Sequence, residues 1–242
     1  MFVKAARAEH TAAWLRREHE VYAHLRGSFI PRLEAFADDP TYPVLVLEDL
    51  GGAEWDFQWN QARVGMVRMA LGEIAAASPP PNTRSVRETF PTFFGRWRTV
   101  ETDPEPFLST GIRSREWLEI ALPTLIAAAE EALVDGDDLL HLDVRSDNLC
   151  FREGGALLVD WNWCATGNAD LDLAAWLPSL ATEGGPQPWD VLPGGGGFAA
   201  FLAGVWAAVV GLPPPATAPT VRPMQRSQLE VALAWCEREL AL

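Results

Sequence analysis

Near the start of the chain the hydrophobic pattern has a helical period. Trp14, Glu18, Val21, Tyr22 and Leu25 recur at the spacing of one helical face, which predicts a helix over Glu9–Leu25. That stripe includes a carboxylate, Glu18, and an inward carboxylate is costly unless a cation meets it. Ahead of it, Phe2–Ala5 is a short apolar run containing Lys4 and reads as the end of a strand. Ile30–Phe36 and Tyr42–Glu48 read as two strands flanking an Asp38-Asp39-Pro40 turn. The unbroken apolar run Val44–Leu47 fits a central strand. Leu50-Gly51-Gly52 then predicts a flexible link, dividing a small α/β domain (1–52) from a larger, mainly helical one (53–242).

Beyond the link, helices are predicted at Gln61–Ala77, Ser114–Leu122 and Pro123–Val134, the last with proline in its first turn. Phe90–Arg98 is rich in aromatic residues. Gly197–Leu212 is the most apolar stretch, but it falls short of the roughly 20 residues that a membrane span needs and reads as a core helix. A closing amphipathic helix carries Leu229, Leu233, Cys236 and Leu240 on one face.

Between these helical segments, Leu139–Ala174 concentrates polar residues among strand-like runs: His141, Asp143, Arg145, Asp147, Asn148, Asp160, Asp170 and Asp172. Leu149–Arg152 and Ala156–Val159 predict a hairpin around Glu153-Gly154-Gly155. With the turn centred on Gly154, Asn148 pairs with Asp160, and their side chains share a face about 5 Å apart. A carboxylate and an amide oxygen so placed suit a hard cation such as Mg²⁺. Asp143, five residues before Asn148, would be the base or orienting group toward whatever the metal holds.

Composition narrows the partners. The 242 residues carry a formal net charge of −14, which argues against nucleic acid or an anionic membrane and is compatible with a cationic substrate. Three cysteines without a CxxC spacing, and a start lacking an apolar leader, point to a reduced, cytoplasmic setting.

The segment from His141 to Asn148 (HLDVRSDN) resembles the catalytic loop of the aminoglycoside phosphotransferase family, small-molecule kinases with the protein-kinase fold. Leu158-Val159-Asp160-Trp161 is similar to the family's metal-binding segment, and Asp170–Ala174 (DLDLA) to its following helix start. The resemblance implies an α+β, bilobal protein-kinase-like fold using ATP or GTP and Mg²⁺. Asp143 would then handle the acceptor hydroxyl's proton, and Asn148 and Asp160 would hold the metal. Arg145 would contact the γ-phosphate, although an internal ion pair with Asp147 or Asp172 is an equal alternative. His141 and Asp172 would support the loop. The match extends back to Lys4 as the phosphate-binding lysine, Glu18 as its helix partner, and Leu47-Glu48-Asp49-Leu50 as the hinge whose backbone would meet the adenine.

Only Met1–Val3 precede Lys4, which leaves no room for the family's Gly-rich hairpin in this sequence; either the start is misassigned or the small sheet lobe is expected to be N-terminally truncated. Two functions follow. One is transfer of the γ-phosphate of a nucleoside triphosphate to a hydroxyl of a small molecule such as an aminoglycoside, amino alcohol or sugar. The other is a weak or inactive kinase-like binding or regulatory module that lacks the phosphate-covering loop.

Overall fold

The computed structural model describes all residues from Met1 to Leu242, and its elements follow the hydrophobic pattern closely. In chain order they are β1 (Phe2–Ala5), α1 (Glu9–His24), β2 (Leu33–Ala37), β3 (Val44–Leu47), α2 (Gln61–Ala76), α3 (Val86–Thr89), α4 (Arg96–Thr102), α5 (Glu105–Leu108) and α6 (Arg115–Glu130). They continue as β4 (Asp138–Leu140), β5 (Leu149–Arg152), β6 (Gly155–Leu158), β7 (Ala165–Gly167), α7 (Asp170–Thr182), α8 (Pro188–Val191), α9 (Gly196–Ala207) and α10 (Val221–Leu240). By packing, the chain divides into two units: residues 1–85 with 136–172, and residues 86–135 with 173–242.

The first unit is built on a three-stranded antiparallel sheet in the order β1-β3-β2. The apolar run of β3 takes the central place, with Leu45 and Leu47 buried. Helix α1 buries Ala12, Leu15, Glu18, Val21 and Tyr22, so Glu18 does face inward. Trp14 does not belong to that face. It is 49% exposed, because the buried stripe runs through Ala12 and Leu15 to either side of it. The unit also holds the β4–β7 and β5–β6 pairs, with Leu149, Leu157, Leu158 and Trp161 in its core.

The second unit is helical. Its core gathers Trp97, Phe107, Leu125, Ala203, Leu229, Leu233 and Trp235. The two helices expected over Ser114–Val134 are one, α6, with Ser114 as its N-cap accepting the Trp117 N–H at 3.1 Å and Pro123 inside. Proline removes one backbone donor and commonly breaks a helix. Pro123 lies on the exposed face, where water can take the freed carbonyl, and buried Leu118, Ala121, Leu125 and Ile126 keep one continuous apolar stripe. Helix α9 is buried along most of its length, and no helix is long and apolar enough to cross a membrane.

Candidate active site

The β5–β6 hairpin sets the register on which the site depends. Leu149 pairs with Leu158, and Arg152 with Gly155. The turn therefore centres between Glu153 and Gly154, half a residue from the expected position. Asn148 faces Val159, whose N–H it accepts at 2.9 Å, and the expected pairing of Asn148 with Asp160 does not occur. The cause is the turn itself, where Gly154 and Gly155 take φ of 106° and 133°, conformations open to glycine.

A one-residue slip ordinarily sends a side chain to the opposite face. Asp160 escapes that fate because its own backbone turns left-handed, at φ 66°. Aspartate tolerates this conformation better than most residues. The strand ends there, and Asn148 and Asp160 line the same cavity.

That cavity, of about 540 Å³, lies within the first unit. Its lining combines apolar Phe2, Leu47, Leu50, Trp55 and Val159 with polar Lys4, Glu18, Asn148 and Asp160, and Glu48 and Asp49 border it as well. Lys4 Nζ stands 2.7 Å from Glu18 Oε2 and 2.6 Å from Asp160 Oδ1. Burial alone would lower the lysine's pKa, but the two carboxylates outweigh it and the net direction is upward. Burial raises Glu18 in turn, opposed by Lys4.

The loop from His141 to Asn148 is held from behind. Asp172 accepts the His141 and Leu142 N–H groups at 2.6 and 2.7 Å. These bonds support Leu142 in a left-handed conformation, φ 62°, that a bulky residue rarely adopts. The His141 ring is fully buried. Its Nδ1 accepts the Asp143 N–H at 3.2 Å and its Nε2 lies 3.0 Å from the Val159 carbonyl, an arrangement that selects the neutral Nε2–H tautomer. Asp143 then takes two contacts from Asn148, whose Nδ2 donates to its backbone oxygen at 3.0 Å and to Oδ2 at 2.8 Å. Burial raises the Asp143 carboxyl above its ordinary range, against the pull of Arg145 and Asn148. Arg145 sits 3.5 Å from Asp143 Oδ1 and donates to both oxygens of Asp147 at 3.1 and 3.0 Å.

At the other end, Glu48 is buried and its carboxylate pairs with Arg152 and, at 3.5 Å, with Arg32. This side-chain anchoring was not anticipated. In the sequence its only mark is that a charged residue directly follows the apolar run Val44–Leu47. Leu50 borders the cavity, and its carbonyl accepts from Ala53 N–H and Trp55 Nε1. Tyr22 and Trp55 also line the cavity. Tyr22 was legible as the residue one turn beyond Glu18, whereas Trp55 lies in a loop without a period to mark it.

The structure thus brings Lys4, Glu18, Asn148 and Asp160 to one wall and Asp143 to Asn148. A search with protein-family profiles matches residues 1–212 to the phosphotransferase enzyme family, APH. The chain belongs to this family. Among solved structures, it resembles an aminoglycoside-3'-phosphotransferase of type VIII at 21% identity and a TM-score of 0.50, covering 96% of this chain and 84% of that one. It also resembles a choline/ethanolamine kinase family protein from Mesorhizobium loti at 15% identity and a TM-score of 0.50, covering 96% and 79%. No curated protein matches by sequence. At these identities the likenesses establish the fold, which is the mixed α+β, protein-kinase-like fold of small-molecule kinases. The family makes the chain a phosphotransferase in the general sense.

The donor set also fits a divalent ion. No cluster of three acidic, histidine or cysteine side chains is present to cage one. Mg²⁺ does not require a cage, because it keeps several waters and takes one or two protein oxygens with the phosphates. With its Nδ2 turned to Asp143, the Asn148 side chain leaves its carbonyl oxygen available to a cation. The polar wall carries two carboxylates against one ammonium, an excess of negative charge that a triphosphate meets only with an added cation.

Proposed function

We propose that this phosphotransferase moves the γ-phosphate of ATP or GTP to a hydroxyl of a small molecule. The observation that carries the reading is the Lys4 ammonium shared between Glu18 and Asp160 in a cavity that Leu47, Leu50, Trp55 and Val159 also line. The base lies against Leu47, Leu50 and Val159, beside the Glu48–Leu50 backbone, and the phosphates lie beside Lys4 and Asp160. Residues 1–52 serve as the nucleotide-binding lobe, and residues 53–242 supply catalysis and the acceptor site.

Asn148 and Asp160 hold Mg²⁺, which neutralises charge on the phosphate oxygens. Lys4 is held in place by buried Glu18 and neutralises phosphate charge beside it. Asp143 orients the acceptor hydroxyl and takes its proton as the oxygen bonds to the γ-phosphorus and the bond to the bridging β–γ oxygen breaks. Its contacts to Asn148 tie the base to the metal wall. Arg145 can leave exposed Asp147 at little cost and meet the transferring phosphoryl group. Catalysis on this plan is positioning and charge stabilisation. The acceptor is an aminoglycoside-like, amino-alcohol or sugar hydroxyl, and the net charge of −14 favours a cationic one. The setting is cytoplasmic, in keeping with three buried thiols whose pKa values burial raises.

Nucleotide turnover with Mg²⁺, measured across a panel of such acceptors, tests the reading. Turnover should disappear in Asp160→Ala, and equal turnover in that variant would sink the assignment. If ATP with Mg²⁺ neither turns over nor raises the unfolding midpoint, the chain is a kinase-like module without this activity.

A further inference from the structure

The helical unit has a cavity of its own, about 190 Å³, lined from α4, α6, α9 and the turn at Phe93–Gly95. Three arginines border it. Arg87 is neutralised by Asp135 at 2.7 Å and lies 4.0 Å over the Phe94 ring. Arg98 is held by Glu130 at 3.0 and 3.3 Å. Arg96 is half-buried and meets no carboxylate or carbonyl.

The half-buried arginines elsewhere in the chain all have acceptors. Arg16 has Asp38, Arg17 the Cys164 carbonyl, Arg63 Glu54, Arg113 Glu237, Arg145 Asp147, and Arg222 the Leu212 carbonyl. Arg96 is the exception, and it borders a cavity. Burial lowers its pKa, the direction expected of a cation withdrawn from water without a counter-charge. A partly desolvated guanidinium without an acceptor is costly, and a planar anion satisfies its fork of N–H donors.

The rest of the lining describes the ligand's body. Phe93, Phe94 and Phe201 supply aromatic walls, Phe94 and Phe201 with ring centroids 5.2 Å apart. Ala129 of α6 and Ala132, two residues past its end, contribute small side chains to the lining. At about 190 Å³ the cavity is smaller than the roughly 300–1,000 Å³ of drug-sized pockets, so it suits a single-ring molecule.

We propose that this cavity binds a small aromatic carboxylate, with its carboxylate on Arg96 and its ring against Phe94 and Phe201. The site is separate from the Lys4–Asp160 cavity and stands whether or not the chain transfers phosphate.

Calorimetric titration of the full chain with benzoate tests this, with benzamide as the neutral match of the same shape. Benzoate should bind saturably at one site, and benzamide at least about tenfold more weakly, as loss of a charge-assisted pair requires. Arg96→Gln should weaken benzoate to a similar degree. Ala129→Phe fills the cavity from α6 without touching any charge, and should abolish binding. Both variants are checked for unchanged circular dichroism and unfolding midpoint; should one fail that check, the other and the benzamide comparison decide. Absence of saturable benzoate binding, equal binding of benzamide, or undiminished binding in a folded Arg96→Gln or Ala129→Phe chain overturns the proposal.

Discussion

Lys4 Nζ lies 2.6 Å from Asp160 Oδ1, although 156 residues separate the two in sequence. Glu18 completes the arrangement on the same ammonium. Because Glu18 is 2% exposed, its carboxylate depends on Lys4 for compensation. Lys4→Met should therefore destabilise the chain by about 2 kcal/mol, less than the roughly 3–5 of a fully buried pair because Lys4 itself is partly solvated. The unfolding midpoint should drop by about 4–8 °C. Adding Glu18→Gln should restore most of that loss, because it removes the uncompensated charge. A double variant no more stable than Lys4→Met alone contradicts this account.

On the proposed mechanism, Asp143 governs the pH dependence of turnover. A base acts as the carboxylate, and burial raises the pKa of this one. Turnover should therefore rise with pH through an acidic limb displaced above the ordinary aspartate range, and fall as acid protonates Asp143. Asp143→Asn should remove the limb and lower kcat by about 10²–10⁴-fold. Rate–pH profiles of the two proteins decide, and an unchanged limb in the variant would assign the titration to another group.

Two buried neighbours should oppose each other in stability. Burial raises Asp172 to about 6 and lowers His141 to about 4. For Asp172 the folded state binds more protons than the unfolded between its ordinary value and about 6, so its contribution is lost as pH rises through that window. For His141 the folded state binds fewer protons between about 4 and its ordinary value, so its contribution is lost as pH falls. Between about pH 4 and 6 the slopes cancel. Urea unfolding of Asp172→Asn should show stability rising with pH there, and His141→Gln stability falling, each by up to about 1.4 kcal/mol per pH unit. Flat profiles in both variants would refute the paired shifts.

The hairpin turn offers a test of register. Gly155 at φ 133° occupies backbone space that a side chain strains. Gly155→Ala should cost about 2 kcal/mol and lower the unfolding midpoint accordingly. Because the hairpin carries Asn148 and Asp160, the stabilisation conferred by ATP with Mg²⁺ should shrink in the same variant. Full retention of that stabilisation would separate the turn from the cavity.

The sequence alone determined the local elements and the residue types that could do chemistry. The helical period put Glu18 on the stripe of α1, and the apolar run of β3 marked a central strand. The spacing from His141 to Asn148, with Asp160 beyond the hairpin, marked the polar wall. These are short-range properties, written in periodicity and turn residues. Tertiary structure decided the matters that depend on backbone detail or on partners distant in the chain. A shift of half a residue in the turn put Asn148 opposite Val159, and the left-handed backbone at Asp160 returned its side chain to the cavity. Pro123 looked like a helix start and proved internal to α6, because its ring faces solvent while the apolar stripe continues beneath it. Arg145 was read equally as a phosphate contact or an ion-pair donor, and its present partners are Asp147 and Asp143. Arg96 carried no signal in the sequence, since an arginine lacking a partner is recognised only once every candidate partner has been placed.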